Sequence, residues 1–332
     1  MPQNIAATWN LIIVSQFNKN GKRVGYFLKK ALKVFRSNLI SGSWEKNVFH
    51  LKHDYPGEIT PGRNQVKLDL VGLTLEKDSF GFVLDRYDVI RELHNSRSAK
   101  FSIQNGSFLI DLNNLVLNPT TSEELFIIEE IFIRGSYNYD HAHSCIVIDV
   151  GMNVGIASLF FASKDRVEKV YGFEPFLPTF GQAETNFRLN PRLSGKIQVA
   201  QYGLGGKEEE LVVSYDYKNK GQVGIHGTSS IRSSLGKVEQ QTIEIKEAST
   251  ELKTIIDRHP GKLFILKLDC EGAEYAILQN LFSNDLLQKI KVIFIEWHLQ
   301  GPEPLIALLG KSNFTSFYQQ SSGKVGMIYA SR

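Results

Sequence analysis

The sequence predicts an α/β fold whose sheet is mostly parallel and covered by helices. Three observations carry that class. Residues 145–162, CIVIDVGMNVGIASLFFA, read as a buried strand, a glycine turn and an apolar helix start. Glu174, an acid at the end of the next apolar run, follows Asp149 by 25 residues. Strand-length apolar runs then alternate with helical patterns as far as His298, and a terminal hairpin follows.

The chain has 332 residues, 42% of them hydrophobic, enough for a large domain with an accessory region or for two domains. No apolar run approaches the ~20 residues of a membrane span, and residues 11–14 are too short for a signal-peptide core. Net charge is +3, yet Lys19, Lys22, Arg23, Lys29, Lys30, Lys33 and Arg36 all precede the first acid, Glu45. The rest of the chain is therefore mildly acidic, which argues against a nucleic-acid-binding core. Residues 22–36 predict an amphipathic helix, with Val24, Phe27, Leu28, Ala31, Leu32 and Phe35 on one face. Three roles stay open for it: packing on its own domain, lying on an anionic membrane or docking a partner, and targeting.

Pro56, Gly57, Pro61 and Gly62 predict a loop over residues 55–65 and a boundary. Alternation predicts a strand over 66–71, and residues 86–93 a short helix. Residues 101–110 predict a hairpin, because Asn105-Gly106 suits a type I′ turn. No catalytic constellation occupies this region. Thr121 and Glu124 form a capping-box signature before Leu125, Ile128, Ile131 and Phe132, and Gly135 can end that helix. Tyr137, just ahead of the first central strand, either contacts a ligand or packs at a domain edge.

The turn at Gly151 and Gly155 lets backbone N–H groups and a helix N-terminus approach a ligand. Residues 167–173 predict the second strand, at whose tip Glu174 can accept both ribose hydroxyls of an adenosine. A crossover helix over 179–189 and a third strand over 196–202 follow. Gly203, Leu204, Gly205 and Gly206 then either pass close to a flat ring or simply turn into the strand at Glu208. Residues 217–230 form a long polar loop in which His226 is either functional or solvated. The fourth strand, 263–269, ends in Asp269, Glu271 and Glu274. Glu274 suits a helix start, whereas Asp269 and Glu271 read as a site. The fifth strand, 292–297, ends in Glu296 and leads to His298. Residues 314–318 and 325–329 flank Ser321-Ser322-Gly323 as an antiparallel hairpin. Cys145 and Cys270 then fall at opposite ends of neighbouring strands, ~15 Å apart at ~3.3 Å per residue. Reduced thiols of a cytoplasmic protein are the expectation.

In this order and spacing, VIDVGMNVG (147–155), GFEP (172–175), NFRLN (186–190) and LKLDCEGAEYAIL (266–278) resemble the class I S-adenosylmethionine-dependent methyltransferases. The similarity is to the FkbM-type family in particular, over roughly residues 120–330. It implies a Rossmann-like seven-stranded sheet with helices on both faces and the last strand antiparallel. The chain then divides into a basic helical segment (1–60), an accessory α+β region (61–119) and a methyltransferase domain (120–332).

The resemblance implies S-adenosylmethionine lying across the C-terminal strand ends. Asp149, Gly151, Asn153 and Gly155 would line its methionine side, Glu174 would hold the ribose, and Gly203 and Leu204 would flank the adenine. Asp269 and Glu271 would sit near the sulfonium and the acceptor. Carboxylates suit a cationic sulfonium, whereas a nicotinamide dinucleotide wants G-x-G-x-x-G, and Asn153 stands in place of its middle glycine. The resemblance also implies O-methylation of a sugar, glycan or polyketide-type hydroxyl. Glu271 and His298 are the favoured proton acceptors, ahead of Asp269 and His226. Asp269, Glu296 and His298 offer a divalent-cation site instead, which this reading does not favour. A cofactor-binding scaffold without turnover and a nicotinamide-dependent oxidoreductase are the alternatives. The basic N-terminal helix would suit a membrane-associated acceptor.

Overall fold

A computed structural model describes residues 43–77, 79–139, 143–217, 220, 223–224, 227–228 and 238–332. The helix expected over 22–36, with its membrane or partner role, and His226 lie outside the described residues. The chain divides into two compact units, one ending at Tyr87 and one beginning at Asp88. Among the described residues no helix is long and apolar enough to cross a membrane.

The first unit contains a helix, Ser43–Asp54, and an antiparallel sheet of Ile59–Pro61, Gln65–Leu68 and Leu73–Glu76. Val66, Leu68 and Leu75 are fully buried from one face of that sheet. The strand Ile59–Pro61 corrects the loop expected there. It lies at the sheet edge, where a terminal proline costs no central ladder bond.

In the second unit, Lys100–Gln104 and Ser107–Leu112 form the expected hairpin. Its turn has φ of 50° at Asn105 and 75° at Gly106, as a type I′ turn requires. A second such turn at Asn113 and Asn114 adds the strand Leu115–Leu117, which the sequence reading missed. The helix Ser122–Ile128 is capped by the Thr121 hydroxyl, which accepts from the Glu124 N–H at 3.2 Å. Glu124 reaches back to the Thr120 N–H at 2.6 Å. The helix widens into a π-helix, Glu129–Arg134, before Gly135 ends it at φ 73°.

The central sheet has seven strands: β1 (Cys145–Val150), β2 (Val167–Phe173), β3 (Ile197–Ala200), β4 (Leu263–Leu268), β5 (Ile290–His298), β6 (Thr315–Ser322) and β7 (Val325–Ser331). Their order is β6-β7-β5-β4-β1-β2-β3. Strands β3, β2, β1, β4 and β5 run parallel, and β7 is antiparallel to both neighbours. This is the Rossmann-like arrangement the sequence implied. Strand order reverses at β1 and β4, so the ligand crevice falls at their C-terminal ends.

The crossover helices are α1 (Ile156–Ala162), α2 (Leu177–Arg188), α3 (Ala248–Arg258), α4 (Glu274–Ser283) and α5 (Glu303–Lys311). Ile146, Ile148, Leu266, Leu268, Ile293 and Ile295 share one buried cluster with Leu252 of α3, Ile277 of α4 and Leu305 of α5. On the opposite face, Phe161 of α1 stacks 6.3 Å from Phe294 of β5.

Two further corrections concern the segment after β2. The third strand stops at Ala200, and Gly203–Gly205 is itself a strand. It pairs in parallel with Val238–Glu247, which runs antiparallel to Glu209–Asp216. Val238–Glu247 and α3 were not read from the sequence. Cys145 and Cys270 are both free, as expected.

Candidate functional site

Beyond β1 the backbone is left-handed at Gly151, Asn153 and Gly155, with φ of 72°, 52° and 78°. A Cβ on Gly151 would lie 1.8 Å from the Asp269 carbonyl oxygen, and one on Gly155 would lie 2.6 Å from the Phe187 ring. Sterics therefore demand glycine at both positions. The Asp269 N–H donates to the Val150 carbonyl at 3.1 Å, so the loop after β4 lies directly on the turn. Asn186 of α2 donates to the Val154 carbonyl at 2.8 Å and accepts the Asn118 N–H at 2.9 Å. Asn190 accepts the Val116 N–H and donates to the Val116 carbonyl. The sequence had marked these asparagines only as part of a resemblance. They tie the glycine turn to the hairpin sheet.

Asp149 is fully buried. It accepts the Ser158 hydroxyl at 2.6 Å, and its other oxygen lies 3.1 Å from the Lys267 ammonium. Asn153 turns its side chain back on the neighbouring Val154 N–H at 2.7 Å. Glu174 is buried at the tip of β2 and accepts the Asn153 N–H at 3.1 Å and the Phe176 N–H at 3.0 Å, one on each oxygen. Burial pushes its carboxyl up to about 7 against those two donors. Gly203 faces Ile245 and Pro175, while Leu204 packs into the central buried cluster. Tyr137 is buried against Phe161 and Phe294. Its phenol is raised well above its ordinary value, first by burial and then by Asp269, Glu296 and Asp149.

The other side of the crevice is built by the loop after β4 and the end of β5. Glu271 has φ of 52°, an uncommon backbone for a side chain of its size, and Gly272 follows at 111°. Glu274, read as a helix starter, has a larger part. It is fully buried, accepts the Cys270 and Gly272 N–H groups at 3.0 Å and 2.9 Å, and holds His298 Nδ1 at 2.9 Å. His298 Nε2 in turn faces Glu271 Oε1 at 3.6 Å. Burial opposes charge on this imidazole, but the Glu274 hydrogen bond and the Glu271 carboxylate outweigh it and hold its pKa at about 10. Burial pushes Glu271 up to about 8, with His298 partly offsetting it. Glu296 is raised well above the carboxylate range by burial and by Asp269.

Lys267 is the site residue that sequence reasoning missed. It is 2% exposed and touches Asp149, Asp269 and the Gly151 carbonyl. Burial lowers its pKa, and the two carboxylates more than restore it. The available signal was a lysine inside the apolar run LFILKL, which is the β4 strand.

The residues present fit S-adenosylmethionine. The turn has no room for a Cβ on Gly151, and Glu174 keeps a free lone pair on each oxygen. Two carboxylates, Asp149 and Asp269, face the one ammonium of Lys267, which favours a cationic ligand beside them. Asp269, Glu296 and His298 also bring one donor atom each within 4.8 Å of one another. That oxygen and imidazole set suits a divalent ion by donor type.

Residues 149–312 match the methyltransferase FkbM domain. The chain is 27% identical over 198 residues to "Methyltransferase 1" of Beauveria bassiana, covering 55% of this chain and 79% of that one. It is also 27% identical over 214 residues to "Methyltransferase sdnD" of Sordaria araneosa, covering 58% and 82%. Among solved structures, an FkbM methyltransferase from Methylobacillus flagellatus KT aligns with a TM-score of 0.40 and 15% identity, over 61% of this chain and 47% of that one. The glycine turn, the acid at the tip of β2 and the acid-rich loop after β4 all lie inside the matched span, and the chain carries an FkbM methyltransferase domain there.

Proposed function

We propose that the chain transfers a methyl group from S-adenosylmethionine to a hydroxyl of a sugar, glycan or polyketide-type acceptor, with Glu271 receiving the proton. The observation that supports this most is the meeting of the glycine turn with the acidic loop after β4, seen in the 1.8 Å from a Gly151 Cβ to Asp269. S-adenosylmethionine supplies an electrophilic methyl carbon on a sulfonium when bound.

The chain's residues then divide the work. Glu174 would hold the ribose, the 151–155 turn the methionine part, and Asp269 the positive charge. An attacking hydroxyl needs a proton acceptor as the new bond forms. The strained backbone of Glu271 and the neighbouring His298 support it in this role. His298 suits the role less well, because Glu274 keeps it protonated at neutral pH.

Calorimetry with S-adenosylmethionine, followed by an acceptor screen that reads S-adenosylhomocysteine release, tests the proposal. Glu174→Ala is expected to bind the donor about tenfold or more weakly, the worth of a charged hydrogen bond. Unchanged affinity in that variant would sink the ribose assignment. Donor binding without turnover on any acceptor would favour the scaffold, and tight dinucleotide binding the oxidoreductase.

The clustering of Asp269, Glu296 and His298 favours a second reading, in which a divalent ion lowers the acceptor's pKa. Turnover unchanged after exhaustive dialysis against EDTA is the result expected for the Glu271 reading. Activity lost on dialysis and restored by Mg²⁺ or Mn²⁺ would move proton removal to the ion.

A further inference from the structure

Lys267 stands where a strand buried on both faces ordinarily carries an aliphatic side chain. Its neighbours Leu266 and Leu268 are fully buried, and Lys267 itself is 2% exposed. Its ammonium is ringed by the Gly151 carbonyl at 2.6 Å, Asp149 Oδ1 at 3.1 Å and Asp269 Oδ2 at 3.4 Å. The Gly151 contact is a hydrogen bond, and the two carboxylates are ion-pair partners; Asp149 Oδ1 takes no hydrogen bond of its own.

The placement follows from register. Lys267 lies opposite Asp149 across the β4–β1 pair, and Asp269 follows just past the end of β4. The Lys267 side chain touches the end of β1, the glycine turn and the residue just past β4 together.

We propose that Lys267 is a positioning residue of the methyl-donor site, a role that rests on the donor reading above. Its ammonium spaces Asp149 from Asp269 and pins the Gly151 carbonyl, so the turn and the facing loop keep the shape the donor needs. Two weaker roles make different predictions. A purely structural lysine would change melting but not ligand affinity. A simple charge neutraliser would be replaceable by any cation, including the sulfonium itself.

Titration calorimetry of the full chain with S-adenosylmethionine, and separately with neutral S-adenosylhomocysteine, distinguishes these roles when paired with thermal melting. Lys267→Arg keeps the charge but offers a wide planar fork that cannot converge on three acceptors. It is expected to melt cooperatively and to bind both ligands about tenfold or more weakly, by the same factor. The double variant Asp149→Asn/Lys267→Met removes both ends of the fully buried pair and leaves only Asp269, whose side chain is 29% exposed, without its cation. It is expected to weaken both ligands without changing their affinity ratio.

Wild-type affinity in Lys267→Arg would overturn the proposal. So would a double variant whose affinity ratio shifts towards S-adenosylmethionine, because neutralisation would then suffice. A native chain that binds neither ligand defeats the donor reading itself, and the wild-type arm shows that separately.

Discussion

Gly151→Ala is expected to lose donor affinity by about 100-fold or more, the scale on which a displacement near 1 Å acts at a positioned site. Two effects combine. Alanine at φ 72° is strained by about 1–2 kcal/mol wherever it occurs. The new Cβ would also lie 1.8 Å from the Asp269 carbonyl oxygen, which is backbone and cannot rotate away. The loop after β4 must therefore shift, and Asp269 and Glu271 shift with it. Calorimetry with S-adenosylmethionine and a melting curve measure the two parts. Donor affinity within a few-fold of the native chain would show that the turn and the loop do not jointly form the site.

Glu271→Gln is expected to lower kcat by about 10²–10⁴-fold, the usual worth of a positioned base, with donor affinity nearly unchanged. The pH profile adds an independent check. Glu271 acts as a base only when ionised, and burial holds its carboxyl at about 8. Native kcat/KM should therefore rise with pH through about 8 and then level, and the Gln variant should lack that limb. The linkage sign runs opposite to activity. The folded carboxyl keeps a proton that the unfolded chain, with its value near 4.5, has released. Its contribution to stability is full below pH 4.5 and is lost as pH rises through about 8. The Gln variant should thus melt no lower than the native chain at pH 8, and a marked drop there would assign Glu271 a structural role instead.

The inner strands of the sheet were legible because they are buried on both faces and read as apolar runs, as CIVIDV of β1 and LFILKL of β4 do, whereas the exposed β6 was marked only by the turn that joins it to β7. The glycine turn was legible because left-handed backbone leaves a compositional trace. Asn113-Asn114 and Val238–Glu247 escaped for complementary reasons. An Asn pair is a weaker turn signal than Asn-Gly, and Val238–Glu247 exposes alternate residues in a polar-looking segment. At the site, residue types at strand ends were readable, but partnerships were not. Nothing in the spacing shows that Glu274 grips His298, or that Lys267 joins two acids on different strands. Such pairings depend on register between segments more than a hundred residues apart, as with Lys267 and Gly151.

The asparagines at the end of α2 have a consequence for how this enzyme can vary. Asn186 holds the Val154 carbonyl on one side and the Asn118 N–H on the other, and Asn190 holds Val116. The rim strand Leu115–Leu117 and the donor pocket are thus two ends of one rigid lever, with α2 as its fulcrum. Substitutions that move the main chain of residues 116–118 are therefore transmitted through Asn186 and Asn190 to the glycine turn. Variation in the hairpin is free only where it leaves the main chain of residues 116–118 in place.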